Sequence, residues 1–287
     1  MTDVIIIGAG CAGLTAAIYA QRAGLSTILL EENFYGGQIA ISNEIENYPA
    51  IPSITGPELA QQIYAQAESL GAQIHFETVT QAELSANPKV VTTHTERYEA
   101  KAVIIANGVK RRKLGCPGEE AFTGRGVSYC ATCDAFFYRG KDVAVLGSGE
   151  YALHEAQALL PVAKSVTLLA NGQPLTAEFP AEVAVRPEKV EAILGEQRVS
   201  GVQLAGGETV ALDGVFVALG VAGSTALARK LGAEVDGNRI VTDEHMMTTL
   251  PGLYAAGDCT GGLLQVAKAV YEGALAGSEA AKALRKG

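Results

Sequence analysis

Short β-branched runs, glycine turns and helix-period stretches follow one another along this chain, and the series occurs twice. Val4–Ile7 is an apolar run that enters Gly8-Ala9-Gly10-Cys11-Ala12-Gly13 and then the helical stretch Leu14–Ala23. Val143–Leu146 is a second such run. It enters Gly147-Ser148-Gly149-Glu150-Tyr151-Ala152 and the helical stretch Leu153–Leu160. Each reads as strand, glycine turn and helix. A further strand follows each helix, over Thr27–Glu31 and over Ser165–Leu169. Two such βαβ units predict an α/β chain with two Rossmann-like, doubly wound domains, each with a mostly parallel sheet.

Later elements suggest how the two domains are threaded. Val103–Ala106, Leu212–Leu219 and Leu253–Ala256 read as further strands, the last introduced by the turn Pro251-Gly252. Val266–Arg285 reads as a closing helix with Ala, Leu and Val on one face. If that last strand and helix return to the first sheet, the second domain is an insertion. The expected division is residues 1–113 with 242–287 for the discontinuous domain, and 114–241 for the insert. Residues 4–20 are apolar enough to resemble a signal peptide, but Asp3 stands where a basic segment belongs and no small-residue cleavage site follows. No other stretch approaches the length of a membrane span.

Composition narrows the function. With 48% hydrophobic and 18% charged residues in 287, the chain has material for a sizeable core. A net charge of −9 argues against nucleic acid as a partner, since phosphate binding needs a basic face. Five cysteines are too few for a disulfide scaffold. The expectation is a cytoplasmic protein with reduced thiols and no membrane partner, in which paired cysteines serve catalysis or metal binding.

The first glycine motif has the context of a dinucleotide site. Gly8 permits the tight turn, Gly10 lets a pyrophosphate approach the backbone, and Gly13 lets helix and strand pack closely. The helix N-terminus offers N–H groups to phosphate. Glu31, twenty-three residues after Gly8, ends the next strand, where a carboxylate can accept both hydroxyl protons of an adenosine ribose. Gly36-Gly37-Gln38 could wrap the diphosphate and ribityl chain, and Gly257-Asp258 could present a carboxylate to a ribityl hydroxyl. These pieces favour a flavin in this domain.

Cys130-Ala131-Thr132-Cys133 is followed by Asp134. Two cysteines so spaced can close a disulfide, bind a metal, or do neither. A zinc site needs about two more ligands at similar spacing. Cys11, Cys116 and Cys259 are isolated and no histidine lies near, so no metal is expected. A redox dithiol needs a nucleophilic thiolate, a resolving thiol and a proton carrier. Asp134 is placed in sequence for the proton role.

Taken in order, these motifs resemble those of the low-molecular-weight thioredoxin reductases over nearly the whole chain. Gly8–Gly13, Gly36–Gln38, Glu46-Asn47, Ala106-Asn107-Gly108, Cys130–Asp134, Gly147–Ala152, Ala256-Gly257-Asp258 and Leu264-Gln265-Val266 agree with that family in order and spacing. The resemblance implies FAD held by the discontinuous domain. The implied contacts are Gly8, Gly10, Ala12, Gly13, Glu31, Gly36, Gly37, Gln38, Asn47, Ala106, Gly108, Gly257, Asp258, Gln265 and Val266. It also implies a homodimer and a Cys130–Cys133 disulfide that passes electrons from the flavin to a thioredoxin. Cys133 would face the flavin and Cys130 would attack the partner. Leu264 replaces a family arginine beside the flavin, and Asn107 replaces a threonine.

The second glycine motif departs further. Twenty-three residues after Gly147 stands Ala170, so the ribose carboxylate of an NAD site is missing. The family has His-Arg-Arg here, then another Arg, for the 2′-phosphate of NADPH. This chain has Ala170-Asn171-Gly172 and then Thr176. Losing two charge-assisted hydrogen bonds costs roughly 3–6 kcal/mol. The sequence is therefore similar to the subset that takes electrons from ferredoxin. A donor near about −400 mV lies well below a thioredoxin near about −270 mV, a fall worth roughly 6 kcal/mol for two electrons. Lys110-Arg111-Arg112-Lys113 is the one basic run. It reads either as a focus for an acidic partner or as a solvated linker. Three other readings stay open: an NAD(P)H-dependent reductase with atypical contacts, a flavin dithiol oxidase using oxygen, and a non-catalytic redox sensor. The intact Cys130-Cys133-Asp134 set argues against the sensor.

Overall fold

The computed structural model describes residues 1–222 and 224–286. The chain forms two compact units, one of Met1–Lys110 with Gly223–Gly287 and one of Arg111–Ala222. The fold is the expected mixed α/β type with parallel sheets.

In the first unit a seven-stranded sheet runs Gln73–Phe76, Thr27–Glu31, Thr2–Ile7, Arg97–Ile105, Lys89–Thr92, Gln81–Glu83, with Leu253–Ala255 paired to Arg97–Ile105. Ile7 pairs with both Leu30 and Ile105, and Ala255 pairs with Ile105. Four parallel strands therefore end in register, and the segments after them gather at one edge of the sheet. Alternation sorts the apolar residues between faces. Val4 and Ile6 pack with Leu14, Ala16, Ala276 and Ala280 on one side. Ile5 and Ile7 pack with Leu30, Val103, Ile105 and Leu253 on the other.

Two helices close the first face. Cys11–Arg22 begins three residues before the expected start, because the glycine turn is itself its first turn. Val266–Lys286 lies against it through Gly273 and Gly277. A Cβ on these glycines would stand 2.2 Å from the Ala12 carbonyl oxygen and 2.5 Å from that of Ala16. Helix Gly56–Ser69 was not expected. Its signal is a capping box, in which Thr55 Oγ1 accepts the Glu58 N–H and Glu58 accepts the Thr55 N–H, with Pro57 in the first turn.

The division of the chain differs from the expected one at both ends of the middle unit. Residues 111–113 belong to that unit, and residues 224–241 do not. Helix Ser224–Lys230 and the strands Val235–Asp236 and Arg239–Ile240 place Ala228, Leu231, Ala233 and Ile240 in one apolar cluster with Ile5, Val103 and Leu253. Burial of those four side chains draws the return point forward from the expected residue 242.

The second unit holds five parallel strands in the order Val183–Arg186, Ser165–Leu169, Asp142–Leu146, Gly214–Val217, Val127–Ser128. An antiparallel meander follows, Val190–Gly195, Val199–Leu204 and Thr209–Ala211. Gly214–Val217 is shorter than the expected Leu212–Leu219. Among the described residues no helix is long and apolar enough to cross a membrane.

Candidate active site

The first glycine turn is fixed by contacts that admit no side chain. Gly8 takes φ 107°, and a Cβ there would lie 2.4 Å from the Ala106 carbonyl oxygen. A Cβ on Gly13 would lie 1.9 Å from the Gly8 oxygen. Gly10 bridges Gly36, whose N–H donates to the Ala9 carbonyl at 2.8 Å. Gly37 lies against Gly10, at φ 57°. Among the described residues, no side-chain atom lies within 4 Å of where a Cβ on Gly10 or Gly37 would stand, and the helix beginning at Cys11 has first-turn N–H groups without intrahelical acceptors. Glu31 is brought to the same place. Its Oε2 accepts the Ala9 N–H at 2.8 Å and its Oε1 the Asn33 N–H at 3.0 Å. A bare cradle beside a carboxylate fits the diphosphate and adenosine ribose of FAD.

The remaining predicted contacts of this unit converge from distant sequence. Ala106 joins the turn through its N–H to the Ile7 carbonyl at 2.8 Å, and Gly108 follows at φ 60°. Gln38 starts exposed in the short turn Gly37–Ile41. Asn47 Nδ2 donates to Gln265 Oε1 at 3.0 Å, and Val266 opens the last helix. Gly257, at φ 86°, crosses close to Ala12 and leads into Asp258. Two residues missed in the sequence hold that crossing. Glu272 accepts the Gly257 N–H at 2.8 Å and the Thr260 hydroxyl at 2.8 Å. Lys268 donates to the carbonyls of Gly257 at 2.8 Å and Gly261 at 2.6 Å, and pairs with Glu272 at 3.0 Å. Their spacing of four residues on a helix was the available signal.

In the second unit Cys130 and Cys133 form a disulfide, with Cα atoms 5.3 Å apart. Cys130 is buried and Cys133 exposed. Asp134 is brought beside them, and its Oδ2 accepts the Ser128 hydroxyl at 2.5 Å. Ser128 Oγ in turn accepts the Cys130 N–H at 3.1 Å. Burial pushes the Asp134 carboxyl above its ordinary value, while the Ser128 hydrogen bond and the Arg111 charge pull it partly back. A carboxyl so placed is suited to carry a proton at a dithiol. Cys11 and Cys259 are free and buried, and burial pushes both thiols up to about 12. Cys116 is also free, its thiol raised by burial. The exposed rings of Phe136 and Phe137, not singled out from sequence, follow the dithiol at once, with the Arg139 guanidinium 5.7 Å over Phe136.

The second glycine turn has a side chain against it. Thr176 donates its N–H to the Ser148 carbonyl at 2.8 Å, and a Cβ on Gly149 would lie 3.0 Å from the Thr176 hydroxyl. Glu150, exposed, opens the helix Glu150–Leu159 where a phosphate would lie. Ala170 is buried. Asn171, at φ 53°, turns its Oδ1 inward to accept the Val190 N–H at 2.9 Å. The Gly172 N–H donates to the Pro187 carbonyl at 2.8 Å.

The basic run Lys110-Arg111-Arg112-Lys113 is not a uniform surface patch. Arg112 and Lys113 are exposed, but Arg111 turns inward to the Tyr129 carbonyl. The Lys110 side chain lies outside the described residues.

Residues 2–273 match the family of pyridine nucleotide-disulphide oxidoreductases. A thioredoxin reductase of Listeria monocytogenes is 40% identical over 296 residues, which cover 98% of this chain and 93% of that protein. One of Treponema pallidum is 41% identical over 297 residues, covering 97% and 96%. The crystal structure of thioredoxin reductase from Streptococcus pyogenes has a TM-score of 0.94 at 38% identity, covering 100% of this chain and 99% of that one. A glycine cradle that fits FAD in one unit, a disulfide with a half-buried carboxyl beside it in the other, and likeness over nearly the full length agree: the chain belongs to the pyridine nucleotide-disulphide oxidoreductase family.

Proposed function

We propose that this chain is a thioredoxin-disulfide reductase that takes its electrons from a ferredoxin rather than from a pyridine nucleotide. The reductase reading is supported by the Cys130–Cys133 disulfide and by the relatives described as thioredoxin reductases. One observation carries the donor reading. The second glycine turn has neither a ribose carboxylate nor an arginine for a 2′-phosphate: Ala170 stands at the ribose position, Thr176 lies against Gly149, Glu150 opens the helix, and Asn171 is engaged with Val190.

FAD, when bound, accepts electrons singly and passes them on in pairs. The Gly8–Gly13 turn, Gly36, Gly37 and Gln38 hold its diphosphate side, with Ala12, Ala106 and Gly108 lining the approach. Glu31 takes the adenosine ribose, Asp258 the ribityl chain, and Asn47, Gln265 and Val266 the flavin end. Cys133, the exposed cysteine, would take the electrons that a bound flavin supplies. Cys130 attacks the disulfide of thioredoxin once it is freed. Asp134 supplies a proton to the departing sulfur and recovers it later. Phe136 and Phe137 offer the apolar contact for a protein partner. A homodimer in the cytoplasm completes the reading, checked by sedimentation equilibrium and by fractionation of the source cells.

The test is anaerobic flavin bleaching in a stopped-flow instrument with reduced ferredoxin, NADPH and NADH in turn. Rapid bleaching by ferredoxin and slow bleaching by both nucleotides is expected. Nucleotide bleaching at turnover rates overturns the donor reading and leaves the reductase reading in place. An NAD(P)H-dependent reductase is the second reading, favoured by the pyridine nucleotide family to which the chain belongs. Oxygen uptake with a dithiol substrate, without any need of thioredoxin, would identify a dithiol oxidase instead. In the variant Ala170→His, Asn171→Arg, Gly172→Arg, Thr176→Arg, a gained response to NADPH is the expected result.

A further inference from the structure

Charged side chains from two other elements crowd the short helix Ala131–Asp134, and the chemistry above uses only Asp134. Arg111, the first residue of the second unit, donates through Nη1 to the carbonyl of Tyr129, the residue just before Cys130. Glu155 comes from the helix Glu150–Leu159 and is 8% exposed. Its Oε2 accepts the N–H of Ala131, the residue just after Cys130. The peptides on both sides of Cys130 are thus held by side chains of opposite charge from outside the motif. The guanidinium lies near enough to Glu155 and Asp134 to draw both carboxyls toward ionisation, against the burial that raises them. Arg111 Nε is buried and has no hydrogen-bond partner among the described residues, so this cation is not fully satisfied by those groups.

We infer that Arg111 and Glu155 are positioning residues of the dithiol: they clamp the peptides flanking Cys130 and set, with opposite sign, how readily its thiol ionises once the disulfide has opened. This rests on the disulfide-reductase reading above. Reduction of the Cys130–Cys133 bond consumes two electrons and two protons and leaves two thiols. The pair then returns both electrons and both protons to a partner disulfide, and the Cys130–Cys133 bond re-forms. The attacking species in that exchange is a thiolate. A nearby guanidinium favours a thiolate and a nearby carboxylate opposes it.

The other titratable groups around the cluster are few. Asp134 is bonded to Ser128 and faces both Arg111 and Glu155. His154 lies beside Glu155 on its own helix, exposed, and favours the carboxylate. Tyr138 is pushed up to about 12 by burial and Asp134, with Arg198 and Asp213 also acting on it. Tyr129 is likewise raised to about 12 by burial and Glu119. The Tyr151 hydroxyl donates to the same Tyr129 carbonyl as Arg111, at 3.2 Å. Both raised tyrosines stay neutral where thiols titrate, so the ionisable side chains that set the charge near Cys130 are Arg111, Glu155 and Asp134.

The experiment uses the full chain with its flavin, reduced by dithiothreitol under argon and freed of reductant. Iodoacetamide pulses from about pH 5 to about pH 10 span the ordinary thiol range. Peptide mass spectrometry reads Cys130 and Cys133 apart from Cys116. Arg111→Met is expected to slow Cys130 alkylation at neutral pH about three- to tenfold, and Glu155→Gln to speed it by about the same factor. Arg111→Lys restores most of the parent profile. Shifts in the same direction, or either profile coinciding with the parent, overturn the inference, since a purely structural role has no reason to follow the sign of the removed charge. Should either single variant lose its flavin or its cooperative melting, the pair Arg111→Met with Glu155→Gln decides: a profile near the parent supports the inference, and a displaced one overturns it. The readout needs neither ferredoxin nor thioredoxin. Opposite shifts in a chain that fails to reduce thioredoxin would therefore refute the function proposed above and leave the charge relation intact.

Discussion

The two glycine turns of this chain share a topology and differ in what stands over them. In the first, Gly13 is the third glycine, and its missing Cβ is what lets the helix pack here, since a Cβ would stand only 1.9 Å from the Gly8 oxygen. In the second, the same place holds Ala152, whose methyl fills the space beside Gly147, 2.8 Å from where a Cβ there would stand. The first has Glu31 at the end of the next strand, bonded across to Ala9. The second has buried Ala170 there, then Asn171 and Gly172 in a turn that serves the backbone. Thr176 Oγ1 stands 3.0 Å from where a Cβ on Gly149 would lie, and exposed Glu150 opens the helix. A strand, a tight turn and a helix can thus keep their packing while the recognising side chains are replaced. The glycine pattern alone reports the first function and not the second.

The sharpest way to break that comparison is to exchange the third positions. Gly13→Ala places a methyl against a backbone oxygen at 1.9 Å, so the turn must move and the FAD floor with it. Purified Gly13→Ala protein is expected to carry less than about a tenth of the parent flavin, as a loss of about 1–3 kcal/mol from overpacking at the site implies. Ala152→Gly removes a buried methyl from a helix and costs about 1–2 kcal/mol in stability, with flavin content unchanged. The ratio of flavin absorbance to protein measures both. Equal flavin loss in the two variants would mean that the turns do not differ as described.

Each unit also keeps one acid for a different purpose. Asp134→Asn should lower thioredoxin reduction by about 10²–10⁴, the usual contribution of a proton-transferring group. It should also raise the melting temperature at neutral pH. Burial holds the folded Asp134 pKa above its unfolded value. The native state therefore binds more protons than the unfolded state across that interval, and stability falls as pH rises through it. The penalty is full above the folded pKa and absent below the ordinary Asp value, so the gain on substitution should vanish in acid. A gain that persists there would point to packing instead. Glu31→Gln is expected to act on affinity: weakened hydrogen bonds to the ribose cost about 1.5–3 kcal/mol, or about ten- to a hundredfold in FAD dissociation, with thioredoxin reduction recovered at saturating FAD.

Legibility in the sequence followed the same division. The strands Thr2–Ile7 and Asp142–Leu146 are visible because buried β-branched runs end on glycines, and Thr27–Glu31 because a short apolar run follows the first helix. The dithiol was visible because Cys130, Cys133 and Asp134 are contiguous in sequence. Helix Gly56–Ser69 has only a thin apolar stripe and so little periodic signal, although Thr55 and Glu58 mark its start. The return of residues 224–241 to the first unit depends on burial of Ala228, Leu231, Ala233 and Ile240 against strands more than a hundred residues away, which no local pattern encodes. The same is true of Arg111 and Glu155, which meet the dithiol only after folding. As a basic run, residues 110–113 suggested a surface; the fold turns one of those charges inward.

The smallest expected effect tests the reading of the second turn most directly. Asn171 has left-handed backbone, and its Oδ1 accepts the Val190 N–H at 2.9 Å. Asn171→Gly keeps that backbone conformation at little steric cost and removes the side-chain acceptor. The loss is one partly buried hydrogen bond, about 1 kcal/mol, seen as a modest fall in the denaturation midpoint. If Asn171 acts only on the backbone, flavin bleaching by NADPH, NADH and ferredoxin is unchanged in Asn171→Gly once the protein is folded. A selective drop in the nucleotide response would show that this side chain serves the donor site, and the two turns would then differ in the identity of their ligand rather than in having one.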